Sequence, residues 1–171
     1  MLMHETNEEA WMEEEGAQAF KEALAKAKVY LEYGSGKSTE YACTLPHIQS
    51  VISVESDKTW SDKLYQTIEN KQKLHMAFAN IGQVGPYGRP LNDEAFKQYH
   101  RYMILPWALA DKYLLTPDLI LVDGRFRVAC FLYSLICAEE GTTILFDDYF
   151  KRHAQYEVAE HFCPVVKRHG R

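Results

Sequence analysis

Apolar positions fall first at helical spacing and then in short clustered runs, and that change of period divides the chain. Ala17, Phe20, Leu24 and Ala27 repeat every three or four residues among strong helix formers, which predicts a helix over residues 6–26. The run Lys28 to Glu32 reads as a strand ending in an acid and a tight turn, Gly34-Ser-Gly36. Ser38 to Leu45 follows as a short helix stopped by Pro46. The alternation then repeats: Val51 to Val54 is β-branched, Glu55 closes it, and Asp57 is placed to cap a helix whose inward face is Trp60, Leu64 and Ile68.

Leu74 to Ala79 is a third strand, and the Gly- and Pro-rich segment 80–92 is a loop, since a sheet strand does not tolerate that composition. A helical segment with an interruption at Pro106 leads to Asp118-Leu-Ile-Leu-Val-Asp123, apolar on both faces as a parallel strand between two helix layers should be. Arg125 to Glu140 reads as a deeply packed helix, Thr142 to Phe146 as a fifth strand, Tyr149 to Phe162 as a polar helix and Pro164 to Lys167 as a sixth strand. Strands alternating with helices at this spacing specify an α/β fold: a doubly wound, mostly parallel sheet in three layers.

Composition narrows the function classes. With 171 residues, 47% of them hydrophobic, the chain suits a single domain, residues 1–27 a helical segment and 28–171 the α/β core. A net charge of −5 gives no field to attract a polyanion, and no basic and aromatic residues interleave, so nucleic acid is not an expected partner. Apolar stretches fall short of a bilayer span and the acidic start lacks the order of a signal peptide, so a cytoplasmic protein without a membrane partner is expected. Cys43, Cys130, Cys137 and Cys163 form no paired motif and read as reduced thiols, and His161 with Cys163 is too few ligands for zinc. A homodimer is left open.

In a doubly wound sheet, ligands bind outside the carboxyl ends of the strands, which directs attention to the residues just after each strand. Gly36-Lys37-Ser38-Thr39 has the end of a phosphate-binding loop, but Leu31 stands where the first glycine of that motif belongs. Glu32xGly34xGly36xSer38 also reads as a nucleoside-cofactor turn, with Glu55, 21 residues after Gly34, placed to bind ribose hydroxyls.

At this point the chain resembles the class I S-adenosylmethionine-dependent methyltransferases. Glu32-Tyr33-Gly34-Ser35-Gly36 is similar to their first motif, Val54-Glu55-Ser56-Asp57 to their second-strand acid, and Asp118 to Gly124 to their fourth strand. The resemblance implies a Rossmann-like methyltransferase fold with its last hairpin incomplete. It further implies that Glu32 lies near the methionine amino group, that residues 34–36 pass under the cofactor with Ser38 as the third small residue, that Glu55 holds the ribose, and that Asn80 and Ile81 flank adenine. A NAD-type dehydrogenase shares the same turn logic.

Asp123 and Asp147 are the candidate catalytic acids. With Asp148 they make a candidate magnesium or calcium site, similar to that of the metal-dependent O-methyltransferases; helix capping by one of the pair Asp147-Asp148 is the competing reading. Arg89, Arg125 and Arg127 are candidates to hold an anionic small-molecule acceptor, or else pair with the nearby acids. The expected function is methyl transfer to a small acceptor. A protein of the same fold that binds the cofactor or another nucleoside without catalysis is the alternative.

Overall fold

The computed structural model describes residues 12–170. Five strands form one parallel sheet in the order β3-β2-β1-β4-β5: β1 Val29–Tyr33, β2 Ser50–Glu55, β3 Leu74–Phe78, β4 Leu119–Val122 and β5 Thr143–Phe146. The chain steps outward from β1 to β3, then returns to lay β4 on the other side of β1. The carboxyl ends of β1 and β4 therefore meet at the reversal of strand order, the place where such sheets open a crevice.

Side-chain alternation along β1 assigns the two helix layers. Tyr30 joins a core cluster with Phe20 and Leu24 of α1 (Glu14–Leu24), Ala42 and Cys43 of α2 (Lys37–Thr44), and Leu64 of α3 (Lys58–Thr67). Val29, Leu31 and Tyr33 join the opposite cluster, with Tyr102, Trp107 and Ala110 of α4 (His100–Tyr113) and Cys130 and Phe131 of α5 (Arg127–Cys137). The doubly wound, three-layer arrangement read from the sequence is the one observed. Asp57 caps α3, its carboxylate accepting from Trp60 N at 3.0 Å.

Several elements differ from expectation. The first helix begins at Glu14, and the part expected over residues 6–11 lies outside the described residues. α4 runs through Pro106 as one helix. α5 is less enclosed than its composition suggests: Ile136 is 79% exposed, because only one layer covers the sheet on that side. Tyr149 to Phe162 is broken into short turns around the four-residue α6 (His153–Tyr156).

Pro164 to Lys167 forms no regular element and joins no strand. The edge of β5 instead borders an apolar cavity of about 540 Å³, lined by Phe131, Phe146, Phe150 and Val165 among others. All four cysteines are free thiols, and no helix among the described residues is long and apolar enough to cross a membrane.

Candidate functional site

Glu32 shows how the first turn is held. Alternation puts its side chain on the α2 face, where it is fully buried. Its two oxygens accept from the hydroxyls of Tyr30 at 2.7 Å, Ser38 at 2.6 Å, Ser53 at 2.8 Å and Thr39. Ser53 reaches it because the parallel register sets Glu32 beside Ser53. Burial pushes this carboxyl above its ordinary range while the hydroxyls pull it back. Glu32 thus ties β1, β2 and the start of α2 together from beneath, rather than presenting its charge to the crevice. The sequence reading missed this network, although the adjacent hydroxyls of Ser38 and Thr39, in the first turn of the helix that follows the acid, were a visible signal.

The turn itself spans only residues 34–36 between β1 and α2. A phosphate-binding loop needs a longer excursion to wrap its backbone amides around a phosphate, so the Gly36-Lys37-Ser38 reading is corrected. Gly34 has φ +93°, and a Cβ there would stand 2.8 Å from the Cα of Gly124. Gly36, by contrast, is extended (φ 177°) and a Cβ on it would meet nothing within 4 Å. Gly34 is required by packing; Gly36 borders open space.

Glu55, at the end of β2, sits beside that space. One carboxylate oxygen accepts from the amide and hydroxyl of Ser35, both at 3.3 Å. The other accepts from the amides of Ser56 at 2.6 Å and Asp57 at 3.0 Å and from the Ser56 hydroxyl at 3.3 Å. The oxygen facing Ser35 has only long bonds, so it is the one a ligand hydroxyl would engage at least cost. The loop after β3 folds over this acid: Ser56 donates its hydroxyl to Gly88 O at 3.0 Å, and Gly88 packs against Glu55. Trp60, 42% exposed rather than buried as its helix position suggested, donates its indole N–H to Ser35 O at 2.9 Å.

Two expected adenine contacts and one turn residue lie differently. Ile81 is fully buried in the α4 and α5 core, and Asn80 accepts from Gly82 N at 3.1 Å in the loop. Tyr33 points its ring away from the crevice, accepting from Trp107 Nε1 at 2.9 Å. Only its backbone belongs to the turn.

At the ends of β4 and β5, Arg127 organises the acids. Its guanidinium donates to the carboxylate of Asp123 at 2.7 Å, to the carbonyls of Asp123 at 3.0 Å and Gly124 at 3.1 Å, and to Asp147 O at 2.6 Å. Asp147 places a carboxylate oxygen 3.7 Å away, and Asp148 pairs with Arg152 at 3.6 Å. A cation already stands between the acids expected to hold a metal, and the described residues include no group of three His, Cys, Asp or Glu disposed to bind one. The magnesium or calcium site is corrected on that ground. Arg127 is likewise a structural tie rather than a free substrate contact, whereas Arg125 is half-buried and Arg89 is exposed.

Burial, with Asp147 and Asp148 adding negative charge, outweighs the pull of Arg127 and pushes Asp123 up to about 7. The crevice thus joins a glycine turn, a ribose-length acid and a carboxyl poised near neutrality. Backbone strain gathers at the same edge: Tyr87, Phe126 and Asp148, each following a different strand, all have positive φ.

Neither a protein family model nor a curated protein matches the chain. Among solved structures, it is similar to a methyltransferase-like protein from Silicibacter pomeroyi, with 34% identity and a TM-score of 0.86 over 95% of this chain and 84% of that one.

Proposed function

This chain belongs to the methyltransferase-like family of that relative, and we propose that it is a cytoplasmic protein that binds S-adenosylmethionine across the ends of β1 and β2 and transfers its methyl group to a small acceptor. The observation that carries the reading is the pairing of open space over Gly36 with the Glu55 carboxylate at the neighbouring strand end. Bound S-adenosylmethionine would supply a methyl group activated on a sulfonium.

The residues divide the remaining work. Gly36 lets the ligand approach the backbone, and Glu55 accepts the ribose hydroxyls in place of its long bonds to Ser35. Asp123 receives the proton that the acceptor loses as its new bond to carbon forms and the carbon–sulfur bond breaks. Arg127 holds one oxygen of that carboxyl, fixing its orientation and leaving the other to take the proton. Much of the rate would come from alignment of acceptor and cofactor.

Titration calorimetry with S-adenosylmethionine tests the binding step: saturable binding by the wild type that Glu55→Gln weakens by about tenfold supports it. Absence of binding by the wild type overturns it. A second reading, cofactor binding without catalysis, is favoured by the engagement of both Asp123 and Asp147 with Arg127. Methyl transfer to any member of a panel of phenols, amines and acids would discard that alternative.

A further inference from the structure

Two arginines near the crevice stand outside its ion pairs. Asp123 and Asp147 are held by Arg127, Asp148 by Arg152, and Glu55 by backbone amides and serine hydroxyls. Arg125 and Arg89 are left over, and among the described residues neither has a carboxylate within ion-pair distance. Arg125 is half-buried, so its charge is carried at a desolvation cost that no counter-ion offsets.

The two arginines stand next to crevice glycines on different segments. Arg125 follows Gly124, whose backbone packs on Gly34 of the cofactor turn. Arg89 follows Gly88, whose backbone lies on Glu55 and Ser56. Each is thus tied through one glycine to the proposed cofactor site. Burial, reinforced by the charges of Arg127, Arg89 and Arg152, lowers the pKa of Arg125. α5 begins beside them without a side-chain cap, so its amide dipoles add to the same field.

We propose that Arg125 and Arg89 form an oxyanion clamp that holds a carboxylate or phosphate group of the acceptor beside the Gly34-Gly36 turn. A guanidinium fork matches both groups bidentately, and binding would supply the counter-charge that Arg125 lacks. The clamp would orient the acceptor's reacting atom toward Asp123 and reject neutral analogues, which leave a half-buried cation unpaired. The word acceptor rests on the methyltransferase reading; the anion site does not.

The test is NMR of the arginine Nε–Hε groups, in protein with and without S-adenosylhomocysteine, titrated separately with inorganic phosphate and with benzoate. A saturable shift at Arg125 is expected for at least one anion, about tenfold weaker in Arg125→Gln and reduced in Arg89→Gln. The exposed Arg101→Gln should leave it unchanged, and Arg125→Lys should retain part of it and report on folding. Preference for phosphate points to phosphate esters and preference for benzoate to carboxylic acids. No saturable shift at Arg125 with either anion, or a shift that equimolar chloride reproduces, overturns the clamp. If S-adenosylhomocysteine fails to bind while phosphate still titrates Arg125, the methyltransferase reading falls and the clamp stands.

Discussion

Gly34 and Gly124 meet backbone to backbone where the sheet reverses its strand order: a Cβ on Gly34 would lie 2.8 Å from the Gly124 Cα, and one on Gly124 would lie 2.8 Å from the Gly34 amide. Neighbouring strands β1 and β4 both turn away at this point, so neither turn has room for a side chain. Gly36, two residues on, has that room. Gly34→Ala should therefore lower stability by about 2 kcal/mol or more in denaturant unfolding, from clash and positive φ. Gly36→Ala should stay within about 0.5 kcal/mol of wild type, yet weaken S-adenosylmethionine in calorimetry, because its methyl group enters the ligand's space.

Arg127 supplies a second contrast within one helical turn. Its guanidinium closes the ends of β4 and β5 through four short bonds. Arg127→Ala should cost about 2 kcal/mol in chemical denaturation, since it leaves a partly buried carboxylate and three carbonyls without their donor. Arg125→Ala, which breaks no ion pair, should leave the unfolding midpoint close to wild type.

Asp123 predicts two pH dependences. With its carboxyl near 7 in the fold and about 4 in the unfolded chain, the native state holds a proton that the unfolded state has lost between those values. The native state then binds more protons, so stability falls as pH rises across that window. Asp123→Asn removes this contribution, and wild-type stability measured relative to the variant should decline from about pH 4 to about pH 7. Activity should run the opposite way, rising through about pH 7 as the base deprotonates, and Asp123→Asn should lower kcat by about a hundredfold or more.

The Ser56 hydroxyl fastens the loop after β3 to Gly88. Losing a bond worth about 1 kcal/mol should speed amide exchange at Gly85, Tyr87, Gly88 and Arg89 about fivefold in Ser56→Ala. Exchange in β1 should not change.

The sheet, its layers and the strand-end acids were legible because burial on both faces leaves short apolar runs, each ended by an acid or a turn. Asp57 was legible for the same local reason, a capping residue one turn before an apolar helix face. What escaped was set by tertiary partners. Glu32 reads as an acid facing the cofactor until the register puts Ser53 beside it, and for Arg127 the choice between substrate contact and acid pair stays open until β5 brings Asp147 to it. Pro164 to Lys167 has strand composition, yet nothing pairs it with β5. Ile81 looked like a crevice residue by its position after β3, but the loop turns it into the core.

The most direct measurement is a crystal structure of the protein grown with S-adenosylhomocysteine at saturating concentration. The account predicts the ligand over the Gly34-Gly36 turn, with its ribose hydroxyls on Glu55 and its sulfur side toward Asp123. Ligand bound elsewhere, or an empty crevice in protein that solution titration shows to be saturated, would contradict it.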